Sequence, residues 1–233
     1  MKCDLCPRKC LVDRKKGEKG ICGQTENLKV ARAALHFWEE PCISGDAGSG
    51  AVFFSGCPLH CVFCQNENIA NGTVGKEISL ERLVDIFLEL QEKRANNINL
   101  VTPGHFVPQI VKALDQARKE GLTLPVVYNT SSYETVDTIK MLEGYVDIYL
   151  PDFKYMSPVL SKKYSHAPDY FETACAAISE MFRQVGDPVI DEDTGLMQHG
   201  MIVRHLLLPG QTKDSKKILR YLHETYGDHI YIS

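Results

Sequence analysis

Three cysteines that follow an apolar run have types and spacing that could support metal and redox chemistry. The segment 56–66 reads GCPLHCVFCQN and places Cys57, Cys61 and Cys64 in a C-x3-C-x2-C pattern. Cysteine thiolates are the usual protein ligands of a [4Fe–4S] cluster, and a complete ligand set has four members. Three ligands from one loop would leave one iron open to a cofactor or substrate, as an open position does in a catalytic metal site.

Two other interpretations fit part of this pattern. Positions i, i+4 and i+7 share one face of a helix, so the three cysteines could pack in a core. They could also bind zinc, which needs four ligands in a structural site, with His60 as the fourth; its position next to Cys61 makes that geometry awkward. Three cysteines within such a short segment are rare as packing alone, and we therefore predict an iron–sulfur cluster.

The first 48 residues contain a second group of cysteines. Cys3, Cys6, Cys10 and Cys22 are spaced C-x2-C-x3-C-x11-C, and Cys42 follows them. Four ligands fit a closed structural zinc site, and they equally fit a second, fully ligated cluster, so the metal remains open. A segment this short buries little apolar surface, and we predict that residues 1–48 form a cysteine-rich, metal-binding N-terminal module.

From about residue 50, apolar runs alternate with amphipathic segments. This alternation predicts parallel strands joined by right-handed helical crossovers, with a hairpin at 187–199 around Asp193-Thr194-Gly195. Strands are predicted at 51–55, 97–102, 125–130, 146–153, 201–208 and 229–233, and helices at 79–93, 107–120, 135–142, 169–185 and 213–226. Because the chain stops inside the sixth predicted strand, we expect the natural chain to be longer.

These elements predict the fold class α/β, with a partial (β/α)6 barrel over residues 49–233 after the N-terminal module. In such folds the active site lies at the carboxyl ends of the strands. Polar residues that end a predicted strand are therefore candidates for the site. Asn129 and Ser131 offer short polar groups suited to a ribose or a carboxylate, although turn and cap chemistry would explain Ser131 equally well. His105 is a candidate catalytic histidine or a helix-start residue.

The three-cysteine motif after the first barrel strand resembles the signature of the radical S-adenosylmethionine (SAM) superfamily. A narrower resemblance, to the pyruvate formate-lyase activating enzyme-like branch, rests on HFWEEP (36–41), ISG (43–45), FFSG (53–56), CQN (64–66), RHL (204–206) and LPG (208–210). The resemblance implies a partial radical SAM barrel in which Cys57, Cys61 and Cys64 bind a [4Fe–4S] cluster. It also implies that SAM on the open iron is reductively cleaved to methionine and a 5′-deoxyadenosyl radical.

The resemblance further implies roles for individual residues. Phe63, before the last cysteine, matches the position near the adenine of SAM. Thr102 and Gly104 occupy the place where the family usually has Gly-Gly-Glu-Pro to meet the SAM amino group, although this chain reads Thr-Pro-Gly-His there. Asp152 and Lys154 match an Asp-x-Lys that reaches toward SAM and substrate, and Arg204 matches a contact to SAM. Ordinary ion pairs at the barrel mouth are the alternative for these charged residues.

The function implied is the generation of a glycyl radical on a partner enzyme, with a flavodoxin or ferredoxin as electron donor. The alternative is radical SAM modification of a small molecule or peptide. A more distant alternative is a non-catalytic zinc protein that binds nucleic acid, but the 26 basic and 30 acidic residues give a net charge of −4, which disfavours nucleic-acid and membrane partners. The N-terminus has no apolar signal core, so we expect a cytoplasmic protein.

Overall fold

The computed structural model describes residues 2–233, which form one open sheet flanked by helices. The strands follow the order β3-β1-β2-β4-β5-β6-β8-β7, and β9 pairs with β8 on its own. Their bounds are β1 (Lys29–His36), β2 (Ser49–Phe54), β3 (Lys76–Glu77), β4 (Ile98–Val101), β5 (Val126–Thr130), β6 (Ile148–Pro151), β7 (Val189–Ile190), β8 (Met197–Val203) and β9 (Tyr231–Ile232).

Six of these strands are parallel in the order β2-β4-β5-β6-β8-β9, which agrees with the six predicted barrel strands. The predicted hairpin is confirmed, because β7 pairs antiparallel with β8. The fifth predicted strand, 201–208, is wrong at both ends: the observed strand begins at Met197 and stops at Val203, just before Arg204 turns to a polar cluster.

Eight helices connect or flank the strands within the described residues. They are α1 (Pro41–Ser44), α2 (Glu67–Ala70), α3 (Leu80–Glu92), α4 (Val107–Lys119), α5 (Val136–Lys140), α6 (Pro158–Ser165), α7 (Tyr170–Val185) and α8 (Thr212–Tyr226). Ser79 caps α3, since its Oγ accepts the Arg82 N–H at 3.2 Å. Sequence reasoning did not find α6, whose N-terminal Ser157-Pro158 pair is a recognisable helix start. None of these helices is both long enough and apolar enough to cross a membrane.

One strand lies inside the segment predicted as the N-terminal module. Strand β1 runs antiparallel to β2 over six residue pairs, and β3 adds to its other edge. This part of the chain therefore extends the main sheet. Its sequence, KVARAALH, carries few large apolar side chains because most of its residues are only half-buried, so the alternation that reveals a strand is weak.

The two faces of the sheet are covered differently. The larger core packs helices α3, α4, α7 and α8 against one face. On the other face a smaller apolar core, consisting of Ile43, Val127, Ile148, Leu150, Met197 and Ile202, lies under the short helix α1. Helix α1 and the segment before it therefore lie over the inner face of the curved sheet, below the carboxyl edge of the parallel strands.

Candidate active site

The three-cysteine loop leaves the carboxyl end of β2. Gly56, with φ of +89°, begins the loop, and its backbone passes so close to the carbonyl oxygen of Cys22 that no side chain fits there. His60, between the first two cysteines, also has a positive φ of +49°, and its Nε2 hydrogen-bonds to the Ile21 carbonyl oxygen at 2.9 Å. The loop is thus shaped by the N-terminal segment on which it rests.

The three thiols of this loop are electrostatic neighbours of one another. Burial raises the pKa of Cys57 to about 11, and the N–H groups of Leu59 and His60 lower it by a smaller amount. The Ser165 hydroxyl donates to Cys61 Sγ at 3.1 Å, and the ammonium of Lys154 lies within electrostatic range of Cys61 and Cys64. Hydrogen-bond donors and a cation around thiol sulfurs favour thiolate ligands.

The donor set fits an iron–sulfur cluster better than a single ion. Within residues 2–233, no three His, Cys, Asp or Glu side chains gather closely enough to hold one metal ion. The ligands of a [4Fe–4S] cube bind separate irons and need not converge on one point. A three-thiol loop at the carboxyl edge of β2 leaves the fourth iron of such a cube without a protein ligand.

Next to this loop lies a group of six polar side chains that we call the polar ring: Glu39, Asn99, Asn129, Asp152, Lys154 and Arg204. Its strand members lie on the inner face of the sheet, each closer to the carboxyl end of its strand than the one before. Asn99 pairs with Val127, two residues below Asn129, and Asn129 pairs with Leu150, two residues below Asp152. Asp152 then bridges to Arg204. Since side chains alternate along a strand, these residues share the face that carries the smaller apolar core.

The Glu39 carboxylate is the hub of the polar ring. Its Oε1 accepts a hydrogen bond from Arg204 Nη1 at 2.6 Å. Its Oε2 accepts from Asn99 Nδ2 at 2.9 Å and from Asn129 Nδ2 at 3.0 Å. Arg204 also donates through Nη2 to Asn129 Oδ1 at 2.6 Å. Elements that are distant in sequence are therefore joined through one buried carboxylate.

Opposite charges balance within the polar ring. Asp152 accepts from Arg204 Nε at 3.1 Å through one oxygen and from Lys154 Nζ at 2.6 Å through the other. Burial alone would raise the pKa of Asp152, but the cations of Lys154 and Arg204 outweigh it and lower that pKa. Burial likewise opposes the charged form of Lys154, and Asp152 outweighs it, so the pKa of Lys154 is raised. Asp152 and Lys154 thus keep their charges beside Arg204.

Four predicted site residues are brought together in the ring: Asn129, Asp152, Lys154 and Arg204. Sequence reasoning missed Glu39 and Asn99. Glu39 lies in the HFWEEP segment, which was informative only for the resemblance, and its partners are between 60 and 165 residues away in sequence. Asn99 lies inside an apolar strand, where an unexpected amide was the available signal.

The turn after β4 carries Thr102, Gly104 and His105. Thr102 has a φ of +54°, and Gly104 lies so close to the Glu134 carboxylate that a Cβ at this position would collide with it. His105 is 2% exposed, and its Nε2 hydrogen-bonds to the Ser55 carbonyl oxygen at 2.7 Å. His105 therefore lies in the protein interior behind this turn and connects it to the end of β2.

Two further predicted site residues, Phe63 and Ser131, make contacts outside the polar ring. The Phe63 ring is half-buried and meets the rings of Tyr155 and Tyr164 edge-on, each with centroids 6.4 Å apart. Ser131 is half-buried, and its carbonyl oxygen accepts the Tyr170 hydroxyl at 2.9 Å. Neither side chain belongs to the hydrogen-bonded ring.

The four N-terminal cysteines are also grouped. Cys22 has both Cys3 and Cys10 as electrostatic neighbours, and Cys6 has Cys3 and Cys22. A Cβ at Gly20 would come within 2.9 Å of Cys10 Sγ, so only glycine fits beside these thiols. Arg8 connects this segment to the three-cysteine loop and its surroundings. It donates hydrogen bonds to the carbonyl oxygens of Pro58 at 2.8 Å and Ser165 at 2.9 Å.

An open parallel sheet with a three-thiol loop at the end of its first parallel strand, beside a polar ring on the inner face, is the arrangement of a radical SAM protein. The family comparison agrees: the Radical SAM superfamily domain matches residues 51–222, and the chain belongs to this superfamily. Membership implies a [4Fe–4S] cluster and SAM as cofactors.

Two individual comparisons add detail. The uncharacterized protein MJ0674 of Methanocaldococcus jannaschii is 29% identical over 213 residues, which cover 89% of this chain and 57% of that protein. The chain thus spans little more than half the length of this relative. The crystal structure of HydG, a maturase of the [FeFe]-hydrogenase, superposes with a TM-score of 0.52 at 16% identity, over 76% of this chain and 40% of that one. At this identity the likeness concerns the fold.

Proposed function

We propose that this protein is a radical SAM enzyme in which Cys57, Cys61 and Cys64 hold the cluster and the polar ring binds SAM or its reaction partner. The observation that carries the proposal is the position of Lys154. Its ammonium pairs with Asp152 in the ring and lies within electrostatic range of Cys61 and Cys64. One side chain therefore links the thiol loop to the polar ring, as a shared reaction centre requires.

When bound, a cluster with an open iron would supply the electron that cleaves the sulfonium C–S bond of SAM. The chain's own residues would orient the ligand. Arg204 contacts ring oxygens through Nε, Nη1 and Nη2, and Nη1 keeps a second N–H that can donate to a ligand carboxylate. Asn129 and Lys154 are further donors at the same edge, and Phe63 offers an apolar ring face beside the last cysteine.

The reaction best supported by the resemblance of HFWEEP, CQN and LPG is the generation of a glycyl radical on a partner enzyme. A flavodoxin or ferredoxin would deliver the reducing electron. The four N-terminal cysteines would hold a second metal, either zinc or a further cluster. Modification of a small molecule or peptide is the second candidate reaction, which the same ring would serve.

The test is anaerobic reconstitution with iron and sulfide, followed by EPR of the reduced protein with and without SAM. We expect a cluster signal that SAM changes, together with release of methionine and 5′-deoxyadenosine. Cys57→Ala should lose both, whereas Cys175→Ala, the same change at a thiol outside both cysteine groups, should keep them. A SAM-insensitive signal in the wild-type protein would contradict the proposal.

The glycyl-radical assignment is tested separately with pyruvate formate-lyase carrying deuterated glycine. Deuterium transfer into 5′-deoxyadenosine would support activation of a protein backbone. SAM cleavage without transfer would favour the second candidate and leave the radical SAM chemistry intact.

A further inference from the structure

The polar ring is organised by a residue from outside the parallel strands. We propose that Glu39 is a positioning residue that holds Arg204 and the two ring asparagines in the geometry that receives SAM. This inference rests on the proposed function, because SAM is taken as the ligand of the ring. It concerns a segment, 37–40, that precedes the family-matched region 51–222.

The backbone around Glu39 is firmly held. The Glu39 N–H donates to Ser44 Oγ at 3.0 Å, and helix α1 begins two residues later with Pro41 at its first position. Ile43 of this helix is 1% exposed and packs in the smaller apolar core on the inner face of the sheet. These contacts fix the backbone from which the Glu39 carboxylate enters the ring. The side chain of the preceding residue, Trp38, is 89% exposed.

The Glu39 carboxylate is almost fully engaged. Its side chain is 10% exposed, and it accepts three hydrogen bonds from side chains on β4, on β5 and just after β8. Charge-assisted hydrogen bonds of this kind are short and directional. Without Glu39, the amide groups of Asn99 and Asn129 would lose their acceptor, and the Arg204 guanidinium would be free to change its rotamer.

The ring nevertheless keeps unused capacity, which points to a ligand. Asn99 is 0% exposed, and its Oδ1 has no hydrogen-bond partner within the described residues. Buried polar atoms are nearly always satisfied, so an unpaired acceptor next to a charged network indicates a group that binds there. Arg204 Nη1 also keeps a second N–H beyond the one that it donates to Glu39.

Charge balance gives Glu39 a second consequence. Glu39 and Asp152 offset Arg204 and Lys154, so the ring is neutral. SAM carries an ammonium, a sulfonium and a carboxylate, and is a net cation. Removing the charge of Glu39 would leave a half-buried positive ring facing a positive ligand, and like charges in such surroundings repel.

The experiment measures SAM affinity by equilibrium dialysis with the anaerobically reconstituted protein and its Glu39→Gln, Arg204→Gln and double variants. We expect Glu39→Gln to bind SAM about tenfold more weakly, the loss of one charge-assisted contact. In the Arg204→Gln background the same change should add little, because Glu39 acts through Arg204. Glu224→Gln, the same change at an exposed glutamate of α8, is the matched control and should bind SAM as the wild type does.

Three results would overturn the inference. Unchanged affinity in Glu39→Gln, with loss in Arg204→Gln, would make Glu39 dispensable for the ring. Tighter binding would mean that Glu39 competes with the ligand carboxylate for Arg204. Fully additive losses would mean that Glu39 acts independently of Arg204. If Glu39→Gln does not fold, Glu39→Asp, which keeps the charge but shortens the reach, is measured in its place. Failure of the wild-type protein itself to bind SAM would refute the proposed function instead.

Discussion

Two groups of ionisable side chains lie on opposite faces of the same sheet: the partly exposed polar ring on one face, and the buried Glu134 and His105 on the other. In the polar ring, the carboxylates of Asp152 and Glu39 pair with the cations of Arg204 and Lys154. On the helix side, Glu134 and His105 lie on either side of the Gly104 turn with no counter-charge bonded to them. Glu134 accepts only from the hydroxyls of Tyr128 and Thr130.

The pKa values follow from this difference. Burial raises the pKa of Glu134 to about 7, and the hydroxyl donors lower it only in part. Burial lowers the pKa of His105 to about 4. Each also has one buried atom with no hydrogen-bond partner in the described part of the chain, Glu134 Oε2 and His105 Nδ1. Paired charges can therefore remain available to a ligand, whereas the unpaired acid and base are driven toward their neutral forms and support the turn behind the site.

Removing one charge from the polar ring should cause the largest loss of unfolding free energy. Asp152→Ala leaves Arg204 with one carboxylate and Lys154 with none. Removal of one partner from a buried ion pair costs about 3–5 kcal/mol, and we expect a loss near the lower end because Asp152 is 25% exposed. Urea unfolding at pH 7 measures it. A loss below about 1 kcal/mol, the value of a surface pair, would contradict the balanced-ring description.

The second prediction concerns the unpaired acid. The pKa of Glu134 is raised from 4.5 to about 7 on folding, so the folded state holds this proton more tightly. The resulting stabilisation is complete below pH 4.5 and is lost as the pH rises through 7. The shift corresponds to roughly 3 kcal/mol. Glu134→Gln cannot titrate, so the stability of the wild type relative to this variant should fall by about that amount between pH 4.5 and pH 8.

The measurement is urea unfolding of both proteins across this pH range, with Glu224→Gln, the same change at an exposed glutamate, as the control. A difference between wild type and Glu134→Gln that does not vary with pH would show that Glu134 is paired in solution. His105 titrates in both proteins and cancels from the comparison.

The smallest effect is expected at the turn between the two groups. Gly104→Ala places a Cβ against the Glu134 carboxylate, and overpacking of this kind costs about 1–3 kcal/mol. Glu134→Ala removes the colliding group, so the double variant should recover most of what Gly104→Ala loses. Thermal unfolding of the three variants measures the coupling, and simple additivity would mean that the turn clashes with something else.

Sequence reasoning predicted the six parallel strands, the helices between them and the three-cysteine loop because these depend on local signals. Apolar runs, the Ser79 cap and the Asp193-Thr194-Gly195 turn are each readable over a few residues. Strand β1 was missed because its half-buried, alanine-rich sequence gives no alternation. Helix α6 was missed although the Ser157-Pro158 pair is typical of a helix start. Asn129 was found because a polar residue at the end of an apolar run is conspicuous, and Asp152, Lys154 and Arg204 were found through the family resemblance.

The sequence alone determined the family, the thiol ligands to be tested and the edge of the sheet at which chemistry would occur, since a short spacing pattern and strand periodicity carry that information. The tertiary structure alone decided which charges meet. Glu39 contacts Arg204, which lies 165 residues away in sequence. Asn99, Asn129 and Asp152 come together only because the register of the parallel strands places them on one face of the sheet. It also decided that His105 lies in the interior and Glu39 in the ring, because burial and counter-charges are properties of the packed chain.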